Sequence, residues 1–104
     1  MPIFNKLVRD RIPEIITNDG NHISIYFADE SEYRAKLLEK LREEVGEFED
    51  SESAEELADI MEVLMAIMDV KGYTREQVEA IRVQKAVARG GFKKRIILQE
   101  TRKI

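Results

Sequence analysis

Two short acidic stretches are the chain's main chemical resource: Glu43-Glu44-Val45-Gly46-Glu47 and Glu56-Leu57-Ala58-Asp59. Each contains two acids three residues apart, Glu44 with Glu47 and Glu56 with Asp59. On a helix that spacing puts both side chains on one face. At about 100° per residue from Leu41, Leu37 falls at about 320°, Phe48 at about 340°, Glu44 at about 300° and Glu47 at about 240°. From Ile60, Glu56 falls at about 320°, Ile67 at about 340° and Asp59 at about 260°. Four anions therefore belong to the apolar sides of two successive helices, or to their edges. Glu43, Glu55 and Glu62 point further outward. Crowded anions repel one another and are costly to desolvate. A hard divalent cation with oxygen ligands offsets that cost, and Mg²⁺ commonly sits between carboxylates and substrate phosphates. Two plainer readings stand beside this one: a solvated acidic face, and an i, i+4 ion pair from Lys40 to Glu44.

Composition narrows the other chemistries. The chain has 104 residues, 17 Lys+Arg against 21 Asp+Glu, one His and no Cys, for a net charge of −4. Without cysteine there is no disulfide, thiolate nucleophile or thiolate metal site. His22 alone is too little for a multi-His zinc centre, and a ferritin-like di-iron site wants two Glu-x-x-His motifs. The acidic balance argues against a nucleic-acid polymer as partner, which calls for a basic stripe. A hydrophobic share of 43% suits a folded core, and the length predicts one domain over residues 1–104. No apolar run approaches the roughly 20 residues of a membrane span. Met1 to Lys6 has no apolar signal core, so a cytoplasmic protein without a membrane partner is expected. Setting aside Glu44, Glu47, Glu56 and Asp59 leaves 17 acids against 17 bases. The acidic excess is thus the size of one metal site.

The elements that must position these acids follow from periodicity and punctuation. Leu7 to Asn18 has helical spacing, with Asp10 as its N-cap and Pro13 in the first turn. Asn18-Asp19-Gly20 stops it. His22 to Phe27 alternates and is rich in β-formers, which predicts a short strand. Asp29-x-x-Glu32, Ser53-x-x-Glu56 and Thr74-x-x-Gln77 resemble capping boxes. They open helices running to about Phe48, Val70 and Arg89. The first carries a stripe of Tyr33, Leu37, Leu41, Val45 and Phe48. The second carries Leu57, Ile60, Leu64, Ile67 and Met68. The link between these two is very short, which predicts an antiparallel αα-hairpin in which both acid pairs converge. Gly72 ends the second helix, and Gly90-Gly91 the third. Arg95 to Gln99 reads as another short strand, paired with the first. The fold class is mainly α, with a small two-stranded accessory β-sheet.

The pattern Glu43-Glu44-x-x-Glu47 followed by Glu56-x-x-Asp59 resembles the signature of the all-α nucleoside triphosphate pyrophosphatases. That superfamily includes MazG, the dimeric dUTPases and phosphoribosyl-ATP pyrophosphohydrolase. Asn5-Lys6-Leu7-Val8-Arg9-Asp10-Arg11-Ile12-Pro13 is similar to the N-terminal motif of a small phosphoribosyl-ATP pyrophosphohydrolase-like branch. Lys85-x-x-x-Arg89-Gly90-Gly91-Phe92 is similar to its C-terminal motif. The resemblance covers nearly the whole chain and implies a MazG-like antiparallel helical bundle. It also implies Mg²⁺-dependent cleavage between the α and β phosphates of a nucleotide, with Mn²⁺ as an alternative cation. Carried over, Glu44, Glu47, Glu56 and Asp59 would be metal ligands. Glu43 and Glu44 would be the catalytic candidates, Glu43 as the residue that orients water. Eight residues separate Glu47 from Glu56, fewer than is usual in MazG proteins.

Hydrolysis of a polyanionic phosphate chain needs charge neutralisation more than a covalent nucleophile. Lys6, Arg9, Lys85 and Arg89 are the candidates for holding phosphates, with Lys93 and Arg95 weaker ones. Each also reads as surface charge, and Arg89 as a complement to its helix C-terminus. Gly90-Gly91 would permit close backbone approach to phosphate, although a helix stop explains it more simply. Met61, Met65 and Met68 read as core, as do Tyr33 and Phe48, while Phe92 is left to stack on a base. A nucleotide substrate and a homodimer or homotetramer are the expected partners. The rival expectation is a MazG-like module that lost turnover and retains an interaction role.

Overall fold

A computed structural model describes residues 4–104; the first three residues of the Met1–Lys6 stretch lie outside the described residues. The chain divides into two compact units, Met1–Gly72 and Tyr73–Ile104. Among the described residues four helices form: α1 (Ile12–Asn18), α2 (Glu30–Ser51), α3 (Ala54–Lys71) and α4 (Arg75–Arg89). No helix among the described residues is long and apolar enough to cross a membrane.

The first unit is organised by the α2–α3 hairpin. Asp29 caps α2 by accepting from the Glu32 backbone N–H at 2.8 Å, and Ser53 caps α3 by accepting from that of Glu56 at 3.3 Å. Only Glu52 and Ser53 lie between the two helices. Glu52 takes a left-handed conformation, φ 51°, and reverses the chain. Two helices joined so tightly must run antiparallel. Leu37 of α2 and Val63 of α3 form the buried apolar centre, 3% and 8% exposed. Ile60 and Ile67 flank Val63 half-buried on the same face of α3. Gly72 closes α3 at φ 77°. That left-handed position favours a residue without Cβ.

The expected stripe on α3 divides in two. Ile60 and Ile67 join Val63 on the packed face, whereas Leu57, Met61 and Leu64 are exposed. Met65 and Met68 are half-buried, so Met61 is not the core residue expected of it. Val45 of α2 is exposed as well. At the start of the unit, α1 begins two residues after the expected cap. Arg11 occupies the N-cap position, and no side chain caps the helix. Asp10 falls outside, and the later start moves Pro13 from the third to the second helical position, where its missing N–H leaves no helical bond unmade.

In the second unit, Thr74 and Gln77 form a reciprocal capping box on α4. Thr74 Oγ1 accepts from the Gln77 N–H at 3.0 Å, and Gln77 Oε1 accepts from the Thr74 N–H at 2.7 Å. Gly90 ends α4 at φ 83° and ψ 176°, a conformation open essentially to glycine alone.

The predicted two-stranded sheet is absent among the described residues. His22–Phe27 and Arg95–Gln99 both lack regular structure. A β-rich pattern describes fit to a pleated, half-buried surface, and a strand needs a partner for its backbone groups. In the first segment, Ile23, Ile25, Tyr26 and Phe27 are exposed, and the Tyr26 hydroxyl donates to Glu32 Oε2 at 2.6 Å. In the second, Arg95 is left-handed at φ 59° and its N–H donates to the Phe92 carbonyl, a turn that interrupts extension.

Candidate metal centre

The short hairpin brings the middle of α2 opposite the first turns of α3. Glu44, Glu56 and Asp59 there offer carboxylate oxygens that all lie within 4.8 Å of one another. Among the described residues Glu44 is the one buried charged side chain, 6% exposed. Its Oε2 is buried without a hydrogen-bond partner, and so is Oε2 of Glu56. Buried polar atoms almost always find partners, and either a proton shared between the two carboxyls or a bound cation would satisfy these oxygens.

The capping positions show what was diverted to make the cluster. In α4 the third helical residue turns its side chain back to the cap. In α3 the equivalent Glu56 gives only its backbone N–H to Ser53 and commits its carboxyl to the acidic group. The carboxyl of Glu56 is pushed up to about 7. Burial is the largest cause, followed by a hydrogen bond with Glu44 and the charges of Glu47, Glu44 and Asp59.

Partial neutralisation comes from three bases. Lys40 Nζ lies 3.5 Å from Glu44 Oε1 and 3.6 Å from Glu43 Oε1. The i, i+4 pair weighed from sequence therefore forms, yet it leaves the opposite oxygen of Glu44 unpaired. Lys6 Nζ reaches Glu43 Oε1 at 3.4 Å, and Arg9 Nη2 reaches Asp59 Oδ1 at 2.6 Å. Thus two of the four basic candidates meet carboxylates of the acidic motif. Glu47 is exposed and outside the group of three, although its charge acts on Glu56. Lys85 and Arg89 are exposed residues of α4 in the second unit; Lys93, Arg95 and Phe92 follow in the same unit, also exposed.

Sequence reading missed a basic cavity beside the acids. It measures about 350 Å³ and is lined by Lys6, Leu7, Lys36, Lys40 and Arg42 together with Glu39 and Glu43. Lys36 Nζ also donates to the Asn5 carbonyl at 2.7 Å. The spacing of Lys36, Lys40 and Glu43 along one helix face was the available signal. The cavity itself needs the N-terminal segment laid beside α2, which no periodicity reveals.

The donor set fits a metal ion. Three carboxylates are hard oxygen ligands, one oxygen of each lies within 4.8 Å of the others, and a cation would lower the cost of keeping Glu56 ionised. No protein-family model, curated protein or solved structure matches the chain.

Proposed function

We propose that the protein is a Mg²⁺-dependent nucleotide pyrophosphohydrolase. It would cleave between the α and β phosphates and release a nucleoside monophosphate and pyrophosphate. The observation that carries this reading is the buried Glu44, which has one unpartnered oxygen and offers a carboxylate oxygen within 4.8 Å of those of Glu56 and Asp59. The resemblance of Glu43-Glu44-x-x-Glu47 and Glu56-x-x-Asp59, with both flanking motifs, to the all-α pyrophosphatases adds the phosphate chemistry.

In this reading Glu44, Glu56 and Asp59 would hold Mg²⁺ (Mn²⁺ as the alternative), with Glu47 the fourth ligand that the resemblance implies. The bound cation supplies charge neutralisation on the phosphates and lowers the pKa of a coordinated water. Lys6 and Lys40 both lie near Glu43 Oε1, which leaves Oε2 as the oxygen that would orient water. Arg9, Lys6 and the neighbouring Lys36, Lys40 and Arg42 supply positive charge for the rest of the phosphate chain. Lys85 and Arg89, one turn apart on α4, are further phosphate candidates. The MazG-like arrangement, a homodimer or homotetramer, and a cytoplasmic location belong to the same reading.

The test is release of pyrophosphate from a panel of canonical, modified and phosphoribosyl nucleotides with Mg²⁺. Wild type should turn over at least one, with activity abolished by chelation. Glu44→Ala and Asp59→Ala should each lose about 100-fold or more. No turnover across the panel, or full activity in both variants, rejects the proposal. The Arg9–Asp59 pair favours a second reading, a non-catalytic module whose acids are neutralised internally. That reading predicts no response of the melting temperature to Mg²⁺ or to nucleotide.

A further inference from the structure

The segment before α1 is tied to the hairpin by three polar contacts. Asn5 accepts through its carbonyl from Lys36 of α2, Lys6 pairs with Glu43 of α2, and Arg9 pairs with Asp59 of α3. The last contact differs in kind from the others, because Asp59 belongs to the group whose oxygens converge. A guanidinium 2.6 Å from Asp59 Oδ1 uses that oxygen as its acceptor. It also places a full positive charge beside the position a divalent cation would take. Two cations sharing one carboxylate repel each other and compete for its negative charge.

We infer that Arg9 is a resident counter-cation of the cluster, displaced from Asp59 when a divalent cation loads and then free to engage the anionic phosphate ligand that the cation brings. The inference rests on the metal-centre reading above and adds the order of events at that site. The pair suits such exchange. Its side chains are 56% and 36% exposed, so the contact is weak enough to break. Arg9 precedes α1 in a stretch without regular structure, so its release disturbs no helix. One side chain thereby opposes the cation alone and supports the cation together with its anion. That is a positive coupling between the two ligands.

Calorimetric titration tests this on the full chain. Mg²⁺ alone should bind Arg9→Ala about two- to fivefold more tightly than wild type, the size expected for loss of one exposed ion pair. Inorganic pyrophosphate, titrated into Mg²⁺-saturated protein, should bind Arg9→Ala more weakly. The melting temperature of metal-free Arg9→Ala should fall, because the acids lose their counter-ion. Arg9→Gln keeps polarity and approximate size and should repeat the tighter Mg²⁺ binding if the alanine variant folds poorly. Arg11→Ala, which removes a pair with Glu14 in the first turn of α1, should leave Mg²⁺ affinity unchanged. A merely structural role for Arg9 would lower melting temperature and Mg²⁺ affinity together, and that result overturns the inference. Wild type that binds no Mg²⁺ removes the metal centre itself. Wild type that binds Mg²⁺ no more weakly than both Arg9 variants removes only the displacement.

Discussion

Glu56 shows at the scale of one residue what the cluster costs the protein. Its carboxyl, ordinarily near 4.5, titrates at about 7 because burial and neighbouring acids disfavour its charge. The folded state therefore holds the Glu56 proton more tightly than the unfolded state does. This contribution to stability is fully present below about pH 4.5 and is lost as pH rises through about 7. In metal-free wild type the melting temperature should carry a downward component over that window. Glu56→Gln, which cannot ionise, should lack it, as paired melting curves from pH 4.5 to 8 would show. Mg²⁺ favours the ionised form, so it should raise the wild-type melting temperature more at pH 8 than at pH 5.5. Equal pH slopes for wild type and variant would contradict the assignment. A group kept at such a cost is more readily explained by a ligand than by folding, as functional sites commonly sacrifice stability.

At the scale of elements, the helix ends show how far local chemistry specifies this chain. Asp29, Ser53 and Thr74 were readable as caps because each offers a short side-chain oxygen three residues before a Glu or Gln. All three accept the backbone N–H expected of them. The reciprocal half forms at Thr74 and Gln77 but not at the other two, since Glu32 goes to Tyr26 and Glu56 to the acids. Those choices are tertiary. The strands failed for the same reason: alternation in His22–Phe27 says which residues suit a sheet and nothing about whether a partner strand arrives. Gly72 gives a clean local test. It sits at φ 77°, and a Cβ there would meet no atom within 4 Å. Gly72→Ala should therefore cost about 1 kcal/mol through backbone conformation alone. Chemical denaturation should show a lowered midpoint at unchanged slope; no change in midpoint would mean that the α3 terminus relaxes freely.

At the scale of the whole molecule, only Leu37 and Val63 are buried apolar residues among those described, few for a chain of 104 residues that is 43% hydrophobic. Leu57, Met61 and Leu64 lie at helical spacing on an exposed side of α3, while Ile81, Val83 and Val87 of α4 are also exposed. A helix apolar on two sides is normally covered on both. The homo-oligomer that accompanies the proposed function would provide such a cover. Sedimentation should then find an assembly larger than one chain, and Leu64→Glu should shift it toward monomer while the helical signal persists. A monomeric wild type would remove the assembly from the account. Helical periodicity puts Glu44, Glu56 and Asp59 on the apolar sides of two helices, where they are buried or half-buried, because the 3.6-residue repeat governs where a side chain points. It did not distinguish Glu47, left exposed, from Glu44, which is buried, because the depth of each depends on how the hairpin closes.

The central claim is that Glu44, Glu56 and Asp59 together hold the cation that serves phosphate chemistry. Its most direct test is a crystal structure of wild type with Mn²⁺ and a nucleotide whose α–β bridging oxygen is replaced by a methylene. Anomalous scattering should show Mn²⁺ bonded to carboxylate oxygens of all three residues, with phosphate oxygens completing its coordination. Mn²⁺ bound elsewhere, or an acidic group still closed around Arg9 with the nucleotide absent, would contradict the account.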